Sequence, residues 1–207
     1  MMQPAKFFGH FVSIVLHPLF ISSLVAGFLI YIHPTAFPGM TDKMKFFRFV
    51  SVFVSTTLLP AFSVFLMWRL QLVINSLQMK TQKERIIPYA IAMIFYFWVW
   101  YVFKNLDDSP VEIRQFLLGA FLAVCGGWFA NIFFKISMHT LAMGGVLMFF
   151  LIIAIRQPEL AAYLAIVILL TGLVTTSRLL VSNHSNSEVY SGLAVGAASQ
   201  LIAILFV

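Results

Sequence analysis

Apolar runs that are too long and too numerous for a soluble core dominate this chain. They lie at about 8–32, 47–70, 88–104, 114–134, 140–155, 160–177 and 190–207, separated by polar and proline-rich punctuation. A helix needs about 20 predominantly apolar residues to cross a hydrocarbon core, where no water satisfies the backbone. With 61% hydrophobic and 10% charged residues, most of the chain must span a bilayer. The expected fold is a single all-α domain over residues 1–207, a polytopic transmembrane bundle of about six to seven spanning helices. The first run follows Lys6 and is longer than a signal-peptide core, with no clear small-x-small cleavage site. It is expected to be one retained helix, about 37 Å long, whereas 88–104 and 140–155 come to only about 24 Å. The 13 Lys+Arg against 7 Asp+Glu anchor helix ends and meet anionic head groups, and nucleic acid is excluded as a partner. Cys125 lies within an apolar run and reads as an inert packed thiol.

Alternating helix direction sorts the connecting segments into two faces. One receives 71–87, 135–139 and 178–189, and the other receives 33–46, 105–113 and 156–159. The first carries Lys80, Lys83, Arg85, Lys135, Ser137, His139, Ser177, Arg178, His184 and Glu188. Basic residues and histidines gathered at one membrane boundary cost desolvation unless an anion meets them, and a phosphate is the economical candidate.

In the last of these segments His184 and Glu188 stand four apart. A helical turn would let the carboxylate hold one imidazole nitrogen and leave the other as a nucleophile. Arg178 offers a planar fork for two phosphate oxygens, although it also reads as an interfacial anchor. In the middle segment, Lys135-Ile-Ser137-Met-His139 opens the next apolar run. Backbone N–H groups there point at an anion, and His139 is placed to protonate a leaving oxygen and then activate water. Ser137 reads equally as an N-cap. The stretch Lys80-Thr-Gln-Lys83-Glu-Arg85-Ile-Ile-Pro88 is basic and ends at a helix entry, with Pro88 acceptable in a first turn. His10, His17 and His33 are expected to bond neighbouring carbonyls. No metal or cofactor is expected, since there is no metal-ligand spacing and no cysteine pair. Gly192 and Gly196 form a small-xxx-small pattern that would bring the last helix close to a neighbour.

These residues resemble the type 2 phosphatidic acid phosphatase superfamily, whose motifs run K-x6-R-P, P-S-G-H and S-R-x5-H-x3-D. Ser177-Arg178, His184 and Glu188 reproduce the third spacing with Glu for Asp. Ser137 and His139 keep half of the second. In the first, Arg85 is followed by Ile86 with proline delayed to Pro88, and Gln78 stands at the lysine position. The resemblance covers about 80–196. It implies a lipid phosphatase acting through a phosphohistidine on His184, with Glu188 orienting it and His139 as acid. Arg85, Arg178, Ser137 and one of Lys80, Lys83 or Lys135 would hold the phosphate oxygens. Phosphatidic acid, phosphatidylglycerol phosphate, undecaprenyl diphosphate and lipid A phosphate all fit as substrates. The same residues would serve a non-catalytic lipid-phosphate scaffold or transporter, or a phosphotransferase.

The short runs 88–104 and 140–155 place the site slightly below the interface. Setting aside the five candidate site cations leaves Lys6 and Arg69 on the motif face against Lys43, Lys45, Arg48, Lys104, Arg114 and Arg156 opposite. The positive-inside rule then puts the site on the periplasmic or outer face of a bacterial inner membrane. Membrane lipids are the only other partner read from the sequence, and oligomeric state is not legible in it.

Overall fold

The computed structural model describes residues 4–72, 82–182 and 184–207. Among them the chain is all helical: α1 (Pro4–Val15), α2 (Pro18–Gly27), α3 (Asp42–Phe53), α4 (Leu59–Arg69), α5 (Gln82–Lys104), α6 (Val111–Phe133), α7 (Met138–Arg156), α8 (Ala161–Val181) and α9 (Asn186–Phe206). Six helical stretches are long and apolar enough to cross a membrane, and the bent α1–α2 pair makes up to seven. The protein is a polytopic membrane helical bundle. Its exterior is studded with exposed Phe, Leu and Ile side chains, as lipid-facing helices require.

The first apolar run is not one helix. Pro18 disfavours helical geometry at the residue before it, and His17 is extended, with ψ 137°. The chain bends by 56° there. The His17 imidazole caps α2, its Nδ1 accepting from Leu19 N at 3.4 Å. Beyond the bend α2 continues through a π turn, Phe28–Ile32. Gly9 lets α1 lie against Val181 and Ser177 of α8. A second π turn, Val54–Leu58, joins α3 to α4, so 42–69 is one span. Pro60 has no N–H for the Thr56 carbonyl. The Tyr96 hydroxyl of α5 donates to that carbonyl instead, at 3.5 Å.

Two expectations about length are corrected. Helix α5 begins at Gln82 and α7 covers Met138–Arg156, so neither crossing is short, and the depth argued from their length does not stand. Because α5 starts six residues ahead of Pro88, that proline is internal rather than in the first turn.

Helices α7 and α9 run parallel in close contact. A Cβ on Gly192 would strike Thr140 and the Ser137 carbonyl, one on Gly196 the Leu141 carbonyl, and one on Gly144 the backbone of Leu193. The small-xxx-small pattern therefore serves helix approach, as read from the sequence. On the opposite face Arg48 pairs with Asp108 and covers the Phe103 ring at 5.6 Å, while Lys104 lies over Trp100 at 5.2 Å. Gly196→Val should lower stability by about 1–3 kcal/mol through overpacking, read as a lower unfolding midpoint in detergent. Gly172→Ala, where an added Cβ meets open space, should leave the midpoint equal or higher.

Candidate active site

The face of the bundle where α5, α7 and α9 begin opens into a cavity of about 760 Å³. Arg85, Lys135, His139, Arg178 and His184 all line it, together with His10, Ser13 and His17 from the first two helices. Among the described residues no carboxylate lines it.

The turn before α9 positions His184. Ser185 is the N-cap, its Oγ accepting from Glu188 N at 3.3 Å, and the Glu188 carboxylate returns to Ser185 N at 3.3 Å. This is a capping box, which satisfies two otherwise orphaned donors. The same carboxylate oxygen lies 2.7 Å from His184 Nδ1. A carboxylate only accepts, so Nδ1 carries the proton and Nε2 keeps its lone pair. The His184 side chain is 4% exposed. Burial pushes its pKa down, and Lys135, Arg178 and Arg85 push the same way, while the Glu188 bond holds it up.

The middle segment is stitched to this turn through its backbone: Ser137 N donates to the Glu188 carbonyl at 3.2 Å. Ser137 is fully buried and is the N-cap residue of α7, but its side chain caps nothing. Its Oγ has no hydrogen-bond partner among the described residues. It sits behind the cavity wall rather than in it. Arg85, 8% exposed, donates from Nη1 to the Ile136 carbonyl at 3.0 Å, which fixes the start of α5 against this loop.

His139 meets an element that the sequence reading gave no role. Its Nε2 lies 3.0 Å from the Ser13 carbonyl of α1, and its ring packs edge-on to His17 with centroids 5.3 Å apart. The carbonyl accepts only, so Nε2 holds the proton and Nδ1 is the nitrogen left for chemistry. Ser13 also accepts from Arg178 Nη1 through its Oγ at 3.3 Å. Tyr89 adds a further polar group. It lines the cavity, is 1% exposed, and its hydroxyl has no partner among the described residues.

The structure thus brings together Arg85, Lys135, His139, Arg178 and His184, with Glu188 and Ser137 behind them. Lys83 is exposed on the first turn of α5 and does not line the cavity. Lys80 lies outside the described residues. His17 and His33 accept from the backbone N–H groups of Leu19 and Thr35, whereas they were expected to donate to neighbouring carbonyls. The Ser185-x-x-Glu188 spacing is a capping-box signal that the sequence reading did not use, whereas nothing in the sequence pointed to Ser13 or Tyr89. Among the described residues no cluster of three or more His, Cys, Asp or Glu side chains is arranged to hold a metal ion. No family model, curated protein or solved structure matches this chain.

The His184 ring should titrate below the ordinary 6.5, followed by imidazole chemical shifts. Glu188→Gln removes the carboxylate that favours the charged ring and should lower the midpoint further. A chemistry that needs the Nε2 lone pair is then lost only on the acid side of that midpoint.

Proposed function

We propose that this protein is a lipid phosphatase, belonging with the type 2 phosphatidic acid phosphatases that its motifs resemble. The observation that carries the reading is one cavity lined by Arg85, Lys135 and Arg178 beside a His184–Glu188 pair and a second imidazole, His139. Cations of this kind favour a tetrahedral anion, and a neutral imidazole with a free nitrogen suits attack on phosphorus.

In this reading His184 Nε2 attacks phosphorus while the bond to the lipid oxygen breaks. His139, taking a proton at Nδ1 from solvent as the phosphate anion settles beside its ring, gives that proton to the leaving oxygen. Glu188 stabilises the positive charge that develops on His184, and the arginines hold the equatorial oxygens as negative charge spreads over them. Water, losing a proton to His139 Nδ1, then attacks the phosphohistidine, releasing inorganic phosphate and restoring both rings. Ser13 and His17 position His139. With the five candidate site cations set aside, the surplus of cations on the opposite face supports a cytoplasmic assignment for that face. The cavity then opens to the periplasmic or outer side of a bacterial inner membrane.

His139→Ala should lower phosphate release from lipid phosphates by about 10²–10⁴-fold. His184→Ala should abolish both turnover and an acid-labile phosphoprotein trapped by rapid denaturation. Full activity in His184→Ala, or a parent that binds phosphate lipids without releasing phosphate to water or to an acceptor, would overturn the reading.

A further inference from the structure

Below the cations the cavity continues into the bundle. Along α5 it runs from Arg85 past Ala92 to Tyr96, about 16 Å of helix at about 1.5 Å per residue. Small side chains make up much of the wall at this depth, Ala92 on α5, Ala120 and Ala123 on α6, Ala142 and Gly145 on α7, with Val64, Leu141, Val146 and Gln200 between them. Residues three apart on a helix share a face, so Ala120 and Ala123 on α6, and Ala142 and Gly145 on α7, leave room between consecutive turns. Larger residues, Tyr96 and Phe116, line the far end. The hydroxyl of Tyr96 is already engaged, accepting from Ser22 at 3.3 Å and donating to the Thr56 carbonyl at 3.5 Å. It therefore has no hydrogen left to offer an occupant.

Interiors close-pack, and an unfilled void of this kind costs stability. The cavity's 760 Å³ falls within the range of about 300–1,000 Å³ usual for ligand sites. In a bilayer protein the apolar matter available to fill it is hydrocarbon. We propose that this arm takes one hydrocarbon chain of the substrate, end-on towards Tyr96 and Phe116, and that its depth selects chain length. The inference rests on the lipid-phosphate reading and narrows it. The favoured substrate offers a linear acyl or alkyl chain of moderate length, and a long polyprenyl chain exceeds the arm.

The test measures binding of non-hydrolysable n-alkyl phosphonates of increasing length to the full chain in lipid nanodiscs, with phosphate release from the matching alkyl phosphates alongside. Affinity referred to the free aqueous phosphonate should rise about fourfold per added methylene and then level off once the arm is full. Ala120→Phe and, on a different helix, Ala92→Leu should each bring that plateau to shorter chains, with the shortest phosphonate bound as in the parent. Affinity that climbs with length identically in the parent and both variants overturns the proposal. A plateau that shifts as expected, in a parent that releases no phosphate, upholds the chain site and removes the phosphatase reading alone.

Discussion

The approach of α7 to α9 governs the rest of the site. Glycines 144, 192 and 196 allow backbone to meet backbone, and in a bilayer such packing replaces the hydrophobic drive that lipid tails do not supply. The register of that contact aligns Thr140 with Gly192 and Leu141 with Gly196. The two helices are therefore parallel, α8 carries the chain back between them, and both begin at the same membrane boundary. The hydrogen bond from Ser137 N to the Glu188 carbonyl is the consequence at that boundary. It fixes the loop of His139 against the turn of His184. Helix α5 starts there as well, so three positive helix ends converge on the cavity mouth.

Within that frame Arg85 donates to the Ile136 carbonyl and Arg178 to the Ser13 hydroxyl, both neutral oxygens. Such bonds orient a guanidinium without cancelling its charge. The carboxylate nearest His184 is committed to that ring and to the cap of α9. A site that faces cations into its cavity, and commits Glu188 to a histidine, suits the anion of the proposed reaction, because groups held in place beforehand limit the reorganisation that reaction would require.

Sequence reading captured the architecture because apolar run length is set by bilayer thickness, and because helix direction alternates it grouped on one face residues that line one cavity. His184 with Glu188 was legible as an i,i+4 pair and Gly192 with Gly196 as a packing pattern, since both depend on spacing within one helix. Other features depend on contacts between distant segments. Pro18 did carry a local signal, but within a long apolar run it was outweighed by hydropathy, so the bend at His17 was missed. Without the bend α1 does not turn onto α8, and Ser13, more than a hundred residues before His139 in the chain, has no reason to meet it. Lys83 shows the converse error: its place beside Arg85 in sequence says nothing of which side of α5 it faces. The chain-sized arm was invisible for the same reason, because alanines at 92, 120, 123 and 142 read as ordinary packing residues until three helices present them to one space.

The glutamate at 188 explains itself on these grounds. The motif that this turn resembles has aspartate there, but position 188 is also the third residue of α9, where a capping box needs a side chain long enough to return to the N-cap N–H. One carboxylate oxygen serves both Ser185 N and His184 Nδ1. An aspartate, shorter by one methylene, would have to give up some of its reach to one of them. The longer acid couples the two tasks: whatever frays the first turn of α9 also releases the imidazole, and whatever holds the imidazole orders the turn. The orientation of His184 is thus a property of the helix start itself, anchored through Gly192 and Gly196 to α7, and not of a flexible loop that happens to carry a histidine.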